Sequence, residues 1–154
     1  MGQSNLPELD WIEIDGEHKN LELVQQFVLD KARSTDVLPE LTLKIELVVE
    51  EVILNIISYA FGAGQAGIIK TGCALVAPGL FQVRIIDQGQ AFDPLDQPDP
   101  DTDLSLDDRN VGGMGIHLVR EMADQVQYQR KGGQNILDIM FSFEVFYDPR
   151  PSAE

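Results

Sequence analysis

Leu41-Thr-Leu-Lys44-Ile45-Glu-Leu-Val48-Val49-Glu-Glu51-Val52-Ile53-Leu-Asn55-Ile56-Ile57-Ser58-Tyr59-Ala60-Phe61 decides how the rest of this chain must fold. Apolar residues at helical spacing cover it nearly all round, from Ile45, Val48 and Val49 through Val52, Ile53, Ile56 and Ile57 to Ala60. A helix of that character has to be covered on most sides, which makes it the central element of a layered core. Pro39 and Glu40 stand at its start. Proline gives up no useful N–H there, and a carboxylate favours the positive end of the helix. The polar exceptions matter most. Glu51 and Asn55 lie four apart on one face and, with Lys44 and Ser58, form a narrow polar stripe. An isolated pair of this kind reads as a solvated helix edge. On a helix this apolar, burying them costs free energy unless water, a cation or a ligand satisfies them.

Outward from this helix, the chain divides into strands and helices of ordinary length. Leu9 to Ile14 reads as a short strand, and Leu21, Val24, Phe27, Val28 and Ala32 recur at helical spacing. Ile69, Thr71, Cys73 and Leu75 alternate, Pro78-Gly79 marks a turn, and Phe81, Val83 and Ile85 alternate again toward Asp87, which is a hairpin. Pro94 to Val111 holds three prolines among a series of aspartates and reads as a long mobile loop. Ile116, Val119, Met122 and Ala123 give a third helix. Val126 and Tyr128, then Leu137 to Val145 after a Gly132-Gly133 turn, give a second hairpin whose last strand is the longest. Two hairpins and three helices point to an α+β fold, a two-layer sandwich with helices on one face of the sheet. The tail from Pro149 is expected to fray.

The 154 residues, 44% hydrophobic and 24% charged, suit one globular domain spanning 1–154, with its core in residues 10–145. Eleven Lys and Arg against 26 Asp and Glu give a net charge of -15, which repels a nucleic-acid backbone or an anionic membrane surface. Neither nucleic acid nor membrane is expected as a partner. The single Cys73, in an apolar alternating run, excludes an internal disulfide and reads as a buried thiol. Residues 1–10 carry no basic stretch followed by an apolar one, and no apolar run is long enough to span a bilayer, so a soluble cytoplasmic protein is the default expectation.

Two further segments carry chemistry. Asp87 closes a strand and opens the turn Asp87-Gln-Gly89-Gln-Ala-Phe92-Asp93, where an aspartate is ordinary turn chemistry when taken alone. A carboxylate at the end of a buried strand can also accept a hydrogen bond from an exocyclic amine, with Gly89 leaving room for a flat ring. An adenine amine would pair with it, whereas a guanine carbonyl would face it acceptor to acceptor. Gly112, Gly113 and Gly115 precede a helix whose first N–H groups are unpaired, a seat for phosphate oxygens or, more plainly, a hinge. Other motifs fail on context. Gly62-x-Gly64-x-x-Gly67 follows a helix and precedes a strand, the reverse of a dinucleotide site. Asp99-x-Asp101-x-Asp103 opens like a calcium loop but lacks its glycine and its bidentate glutamate. His18 and His117 have no partner at metal-ligand spacing.

Taken together and in this order, Glu51-Val-Ile-Leu-Asn55, Asp87-Gln-Gly89-Gln-Ala91-Phe92-Asp93-Pro94 and Gly112-Gly113-Met114-Gly115-Ile116 resemble the three boxes of the GHKL ATPases, the group containing gyrase B subunits and histidine kinases. The small size most resembles the stand-alone anti-sigma-factor serine kinases. The resemblance implies the Bergerat-type ATP-binding fold with a mixed, mostly antiparallel sheet. It also implies ATP and Mg²⁺ as ligands, with Asn55 ligating the metal and Glu51 orienting or deprotonating the attacking hydroxyl. Asp87 would take the adenine amine, with Gly89 beneath the ring and Phe92 in the same box. Gly112, Gly113, Met114 and Gly115 would form the phosphate loop, with Asp96 to Asn110 as the lid.

The implied function is phosphorylation of a small regulatory partner in trans. That partner would be an antagonist (anti-anti-sigma) protein, with a sigma factor as a further candidate. Many members dimerise, yet no face here is visibly dedicated to it, and a homodimer stays open. One departure stands out: Tyr59 occupies the place, four residues after the asparagine, where the anti-sigma kinases usually carry a histidine. It motivates an alternative, a nucleotide-dependent partner-binding switch with little or no kinase activity. A degenerate relative that binds no nucleotide is the third.

Overall fold

The structure, a computed structural model, describes residues 8–61, 67–96 and 115–145. The expected loop beyond residue 96, the Gly112-Gly113-Met114 segment, Gly62 and Gly64, the calcium-like aspartates and the C-terminal tail lie outside them. Strands β1 (Asp10–Asp15), β2 (Ile68–Ala77), β3 (Leu80–Asp87), β4 (Gln125–Lys131) and β5 (Gln134–Ser142) form one sheet in the order β1-β2-β3-β5-β4, each neighbouring pair antiparallel. Helices α1 (Leu21–Arg33), α2 (Pro39–Asn55) and α3 (Gly115–Met122) complete the α+β fold. As the apolar pattern of Leu41 to Phe61 requires, α2 lies between α1 and α3. Ile45, Val48, Val49, Val52 and Ile53 are buried in one cluster with Phe81, Val83 and Ile85 of β3 and Ile139 and Phe141 of β5. Among the described residues, no helix is long and apolar enough to cross a membrane.

Two elements end earlier than the sequence predicts. Leu41 to Phe61 reads as a single helix, but α-helical bonding stops at Asn55 and Ile56–Ala60 forms a π-helical turn. Such widened turns recur at functional sites because they re-aim the side chains beside them. Alternation through Phe143 and Val145 predicts a longer last strand, yet β5 stops at Ser142. Its partner β3 begins at Leu80, opposite Ser142, so nothing remains to pair with. The Phe143 N–H goes instead to the Gly79 carbonyl at 2.8 Å, and Val145 is left half exposed.

One core position runs against its neighbours. Thr71 is fully buried on β2 and its hydroxyl has no hydrogen-bond partner. Replacing an unpaired buried hydroxyl by a methyl of the same shape removes a desolvation penalty, so Thr71→Val is expected to stabilise the fold by about 1 kcal/mol. Denaturant midpoint reports this directly. So does alkylation of Cys73, which is buried with its thiol pushed up to about 12 and should react only when the core opens.

Candidate functional site

Strand parity brings the site together. On β3, Phe81, Val83, Ile85 and Asp87 all point into the helix-covered core, and on β5 Asn135, Leu137, Ile139 and Phe141 do the same. The two apolar rows pair across the sheet until they end in a polar pair, Asp87 opposite Asn135. Both side chains are nearly inaccessible, at 3% and 4% exposed. A small cleft opens there, lined on one side by Val52, Asn55 and Ile56 at the end of α2 and on the other by Asp87, Phe92, Tyr128 and Asn135. Asn55 and Asp87, far apart in sequence, therefore face one space.

Asn55 is 4% exposed and its amide nitrogen has no hydrogen-bond partner. A solvated helix edge would leave this residue in water. An orphaned buried amide costs about 1–3 kcal/mol, comparable to the gain from burying one core isoleucine. The fold thus carries a destabilising group at the mouth of a cleft. Glu51 stands one turn earlier on α2 and is partly buried. Burial, and secondarily the negative charge of Glu50, hold its carboxyl above the usual glutamate range.

Asp87 is held from two sides. Its Oδ1 accepts the Gly89 backbone N–H at 2.9 Å and the Asn135 Nδ2 at 2.9 Å. Burial pushes its carboxyl up from the ordinary aspartate value, opposed by these two hydrogen bonds and by the charge of Arg130. Arg130 itself donates to the Gly89 carbonyl at 2.7 Å. Both donors on Oδ1 leave the second carboxylate oxygen for an incoming donor, the arrangement an exocyclic amine requires.

Gly89 has a role the sequence reading did not give it. A Cβ there would come within 2.3 Å of the Ala60 carbonyl oxygen, so its bare backbone lets the Asp87 loop dock on the π-helical turn. The Gln90 N–H bonds the same carbonyl at 2.8 Å, the Gln90 side chain bonds the Tyr59 carbonyl at 2.8 Å, and the Tyr59 ring stacks on Phe92 with centroids 5.5 Å apart. Gly89→Ala is expected to separate loop from turn at a cost of about 2 kcal/mol, read as a lower melting temperature.

Of the remaining expected site residues, Gly115 is the first residue of α3. Gly112, Gly113 and Met114 lie outside the described residues. Two polar residues of the cleft were missed, Asn135 and Tyr128. The signal was present: counting back by twos from Phe141 places Asn135 on the inward face, where an asparagine needs partners. Among the described residues, no group of three or more His, Cys, Asp or Glu is placed to hold a metal.

Residues 14–141 match the family described as the histidine kinase-like ATPase domain. Over 95 residues the chain is 33% identical to the serine/threonine-protein kinase BtrW of Bordetella bronchiseptica, covering 62% of this chain and 66% of that protein. The RsbU and RsbW domains of a Mycobacterium tuberculosis protein superpose with a TM-score of 0.60 at 12% identity, over 86% of this chain and 32% of that one. The histidine kinase domain of a blue-light activated histidine kinase from Erythrobacter litoralis gives 0.51 at 16% identity, over 79% of this chain and 60% of that one. At such identities the two structures show the fold alone. The chain spans just under two thirds of the curated relative and about a third of the Mycobacterium chain.

Proposed function

Because the chain belongs to the histidine kinase-like ATPase family, we propose that it binds Mg-ATP between Asn55 and Asp87 and transfers the γ-phosphate to a serine or threonine of a small regulatory partner protein. The observation that carries this reading is the pairing, in one cleft, of a buried amide lacking a partner with a buried carboxylate keeping one oxygen for a ligand. Similarity to a protein named as a serine/threonine kinase supports the reaction class.

In this reading, Asp87 accepts the adenine amine and Glu51 orients or deprotonates the attacking hydroxyl. The carboxamide of Asn55 suits a hydrated Mg²⁺, which prefers few protein ligands and keeps its waters and phosphate oxygens. When bound, that ion neutralises phosphate charge. The glycine segment ahead of α3 is assigned to the phosphates. The partner is an antagonist of the anti-anti-sigma type, with a sigma factor as a second binding partner.

Labelled ATP incubated with the protein and a cognate antagonist should yield phosphorylated antagonist. Transfer that persists unchanged in Glu51→Ala would remove that residue from the chemistry. A finer check uses pH. Glu51 acts as a base only when ionised, and its raised pKa places the acidic fall-off of transfer above that of an ordinary glutamate. Glu50→Gln removes a repelling charge, lowers the Glu51 pKa and is expected to move that fall-off to lower pH. An unmoved limb means that another group titrates.

Tyr59 favours a second reading, a switch in which nucleotide alters partner affinity without turnover. Its ring stacks on Phe92 and its carbonyl anchors Gln90, so it ties the end of α2 to the adenine loop. Partner capture that is equal with ATP and with a non-hydrolysable analogue, with no phosphorylated product, would select the switch.

A further inference from the structure

The side chain of Asn135 spends all of its hydrogen-bonding capacity around Asp87. Nδ2 donates to Asp87 Oδ1 at 2.9 Å and to the Gln90 carbonyl at 2.8 Å, while Oδ1 accepts the Phe92 backbone N–H at 3.2 Å and the Tyr128 hydroxyl. Two of these partners are backbone groups with no choice of role. A peptide N–H can only donate and a peptide carbonyl can only accept, so the amide cannot be turned over. Its nitrogen must face Asp87. The hydrogen bond to Asp87 is therefore imposed on the carboxylate rather than chosen by it.

We infer that Asn135, oriented by Tyr128 and by the backbone of residues 90–92, is the positioning residue that sets base choice, by occupying Asp87 Oδ1 with a fixed donor so that Asp87 presents an acceptor to the purine. The inference rests on the nucleotide-site reading and deepens it. Without this donor, Asp87 Oδ1 keeps only the Gly89 N–H, and a stabiliser of its ionised form is lost. A protonated carboxyl can donate, which would admit a purine bearing a carbonyl in place of the amine. Two of the same four bonds fasten Phe92 and Gln90, so purine selection and loop docking share one amide.

The test is calorimetry of ATP against inosine triphosphate, each with magnesium, on the full chain, Asn135→Ser and Tyr128→Phe. Wild type is expected to prefer ATP. Asn135→Ser, too short to hold Asp87 and the loop together, should reduce that preference at least tenfold. Tyr128→Phe keeps the ring and the Phe92 N–H, and should reduce it about threefold. A purely structural role would weaken both nucleotides alike and leave their ratio where it was. If Asn135→Ser fails to fold, Tyr128→Phe carries the same readout. An unchanged ratio in the folded variants overturns the inference while the nucleotide site stands, whereas a wild-type protein that binds neither nucleotide overturns both.

Discussion

Asp87→Asn should lose Mg-ATP binding by on the order of a thousandfold, with no loss of stability. The variant amide has little freedom. Gly89 N–H and Asn135 Nδ2 both donate to the Oδ1 position, so the new side chain must keep its oxygen there and turn its NH₂ to where the second carboxylate oxygen was. A donor then faces the adenine amine. Loss of a hydrogen bond to a charged acceptor costs about 1.5–3 kcal/mol, and the unsatisfied donors add about 1–3 more. The total of about 4 kcal/mol corresponds to roughly three decades of affinity.

Stability should respond the other way. The Asp87 carboxyl is raised in the folded protein above its ordinary value of 3.8, so folding binds its proton more tightly than the unfolded chain does. Its contribution is fully present below that ordinary value and is lost as pH rises through the raised folded pKa. The substituted amide does not ionise, so the variant should melt no lower than wild type at neutral pH, and should lose part of the wild-type slope in the acid range. Thermal melts over a pH series, with calorimetry for ATP, check both halves. Affinity within threefold of wild type would remove Asp87 from base recognition.

The sheet was legible because its inner strands β3 and β5 each show one face to one core. Phe81, Val83 and Ile85 are buried while Gln82, Arg84 and Ile86 are only partly covered, which is the alternation the sequence displays. The central helix was legible for the complementary reason that its sequence is apolar nearly all round, although Leu43 and Lys44 near its start are exposed. That same uniformity hid where it stops. Ile56 and Ile57 continue the apolar pattern, and no glycine or proline intervenes. What distinguishes the last turn is that its Tyr59 and Ala60 carbonyls go to Gln90, some thirty residues later. No local window contains that bond.

The site divides along the same line. Asp87 and Asn55 announced themselves as polar residues in apolar settings. Asn135 carries the same signature, a polar residue on the inward face two before Leu137, but it stands two residues after the Gly132-Gly133 turn. The register, which puts it opposite Asp87, supplies the partner that the alternation alone does not name. Gly89 has a further reason to lack a side chain that no local window shows: a Cβ there would meet the Ala60 carbonyl oxygen.

Asn55→Leu is expected to produce two opposite effects in one protein. The position is buried near Val52 and Ile56, and its amide nitrogen is unpaired. Leucine has a similar volume and a better helix propensity, and it removes the orphan, so the variant should gain about 1 kcal/mol of stability. It should also lose magnesium-dependent ATP affinity by more than about a hundredfold, since even residues that merely support a metal ligand cost up to that much. Denaturant unfolding and calorimetry with and without magnesium measure the two quantities separately. Thr71→Val supplies the control, because it removes an equally buried orphan away from the cleft and should gain stability without losing nucleotide. A polar group that lowers stability at one position and is needed for binding there, beside one that lowers stability and is needed for nothing, separates a functional amide from a packing imperfection. If Asn55→Leu instead unfolds more easily and still binds Mg-ATP as wild type does, the amide is structural, and the magnesium assignment falls with it.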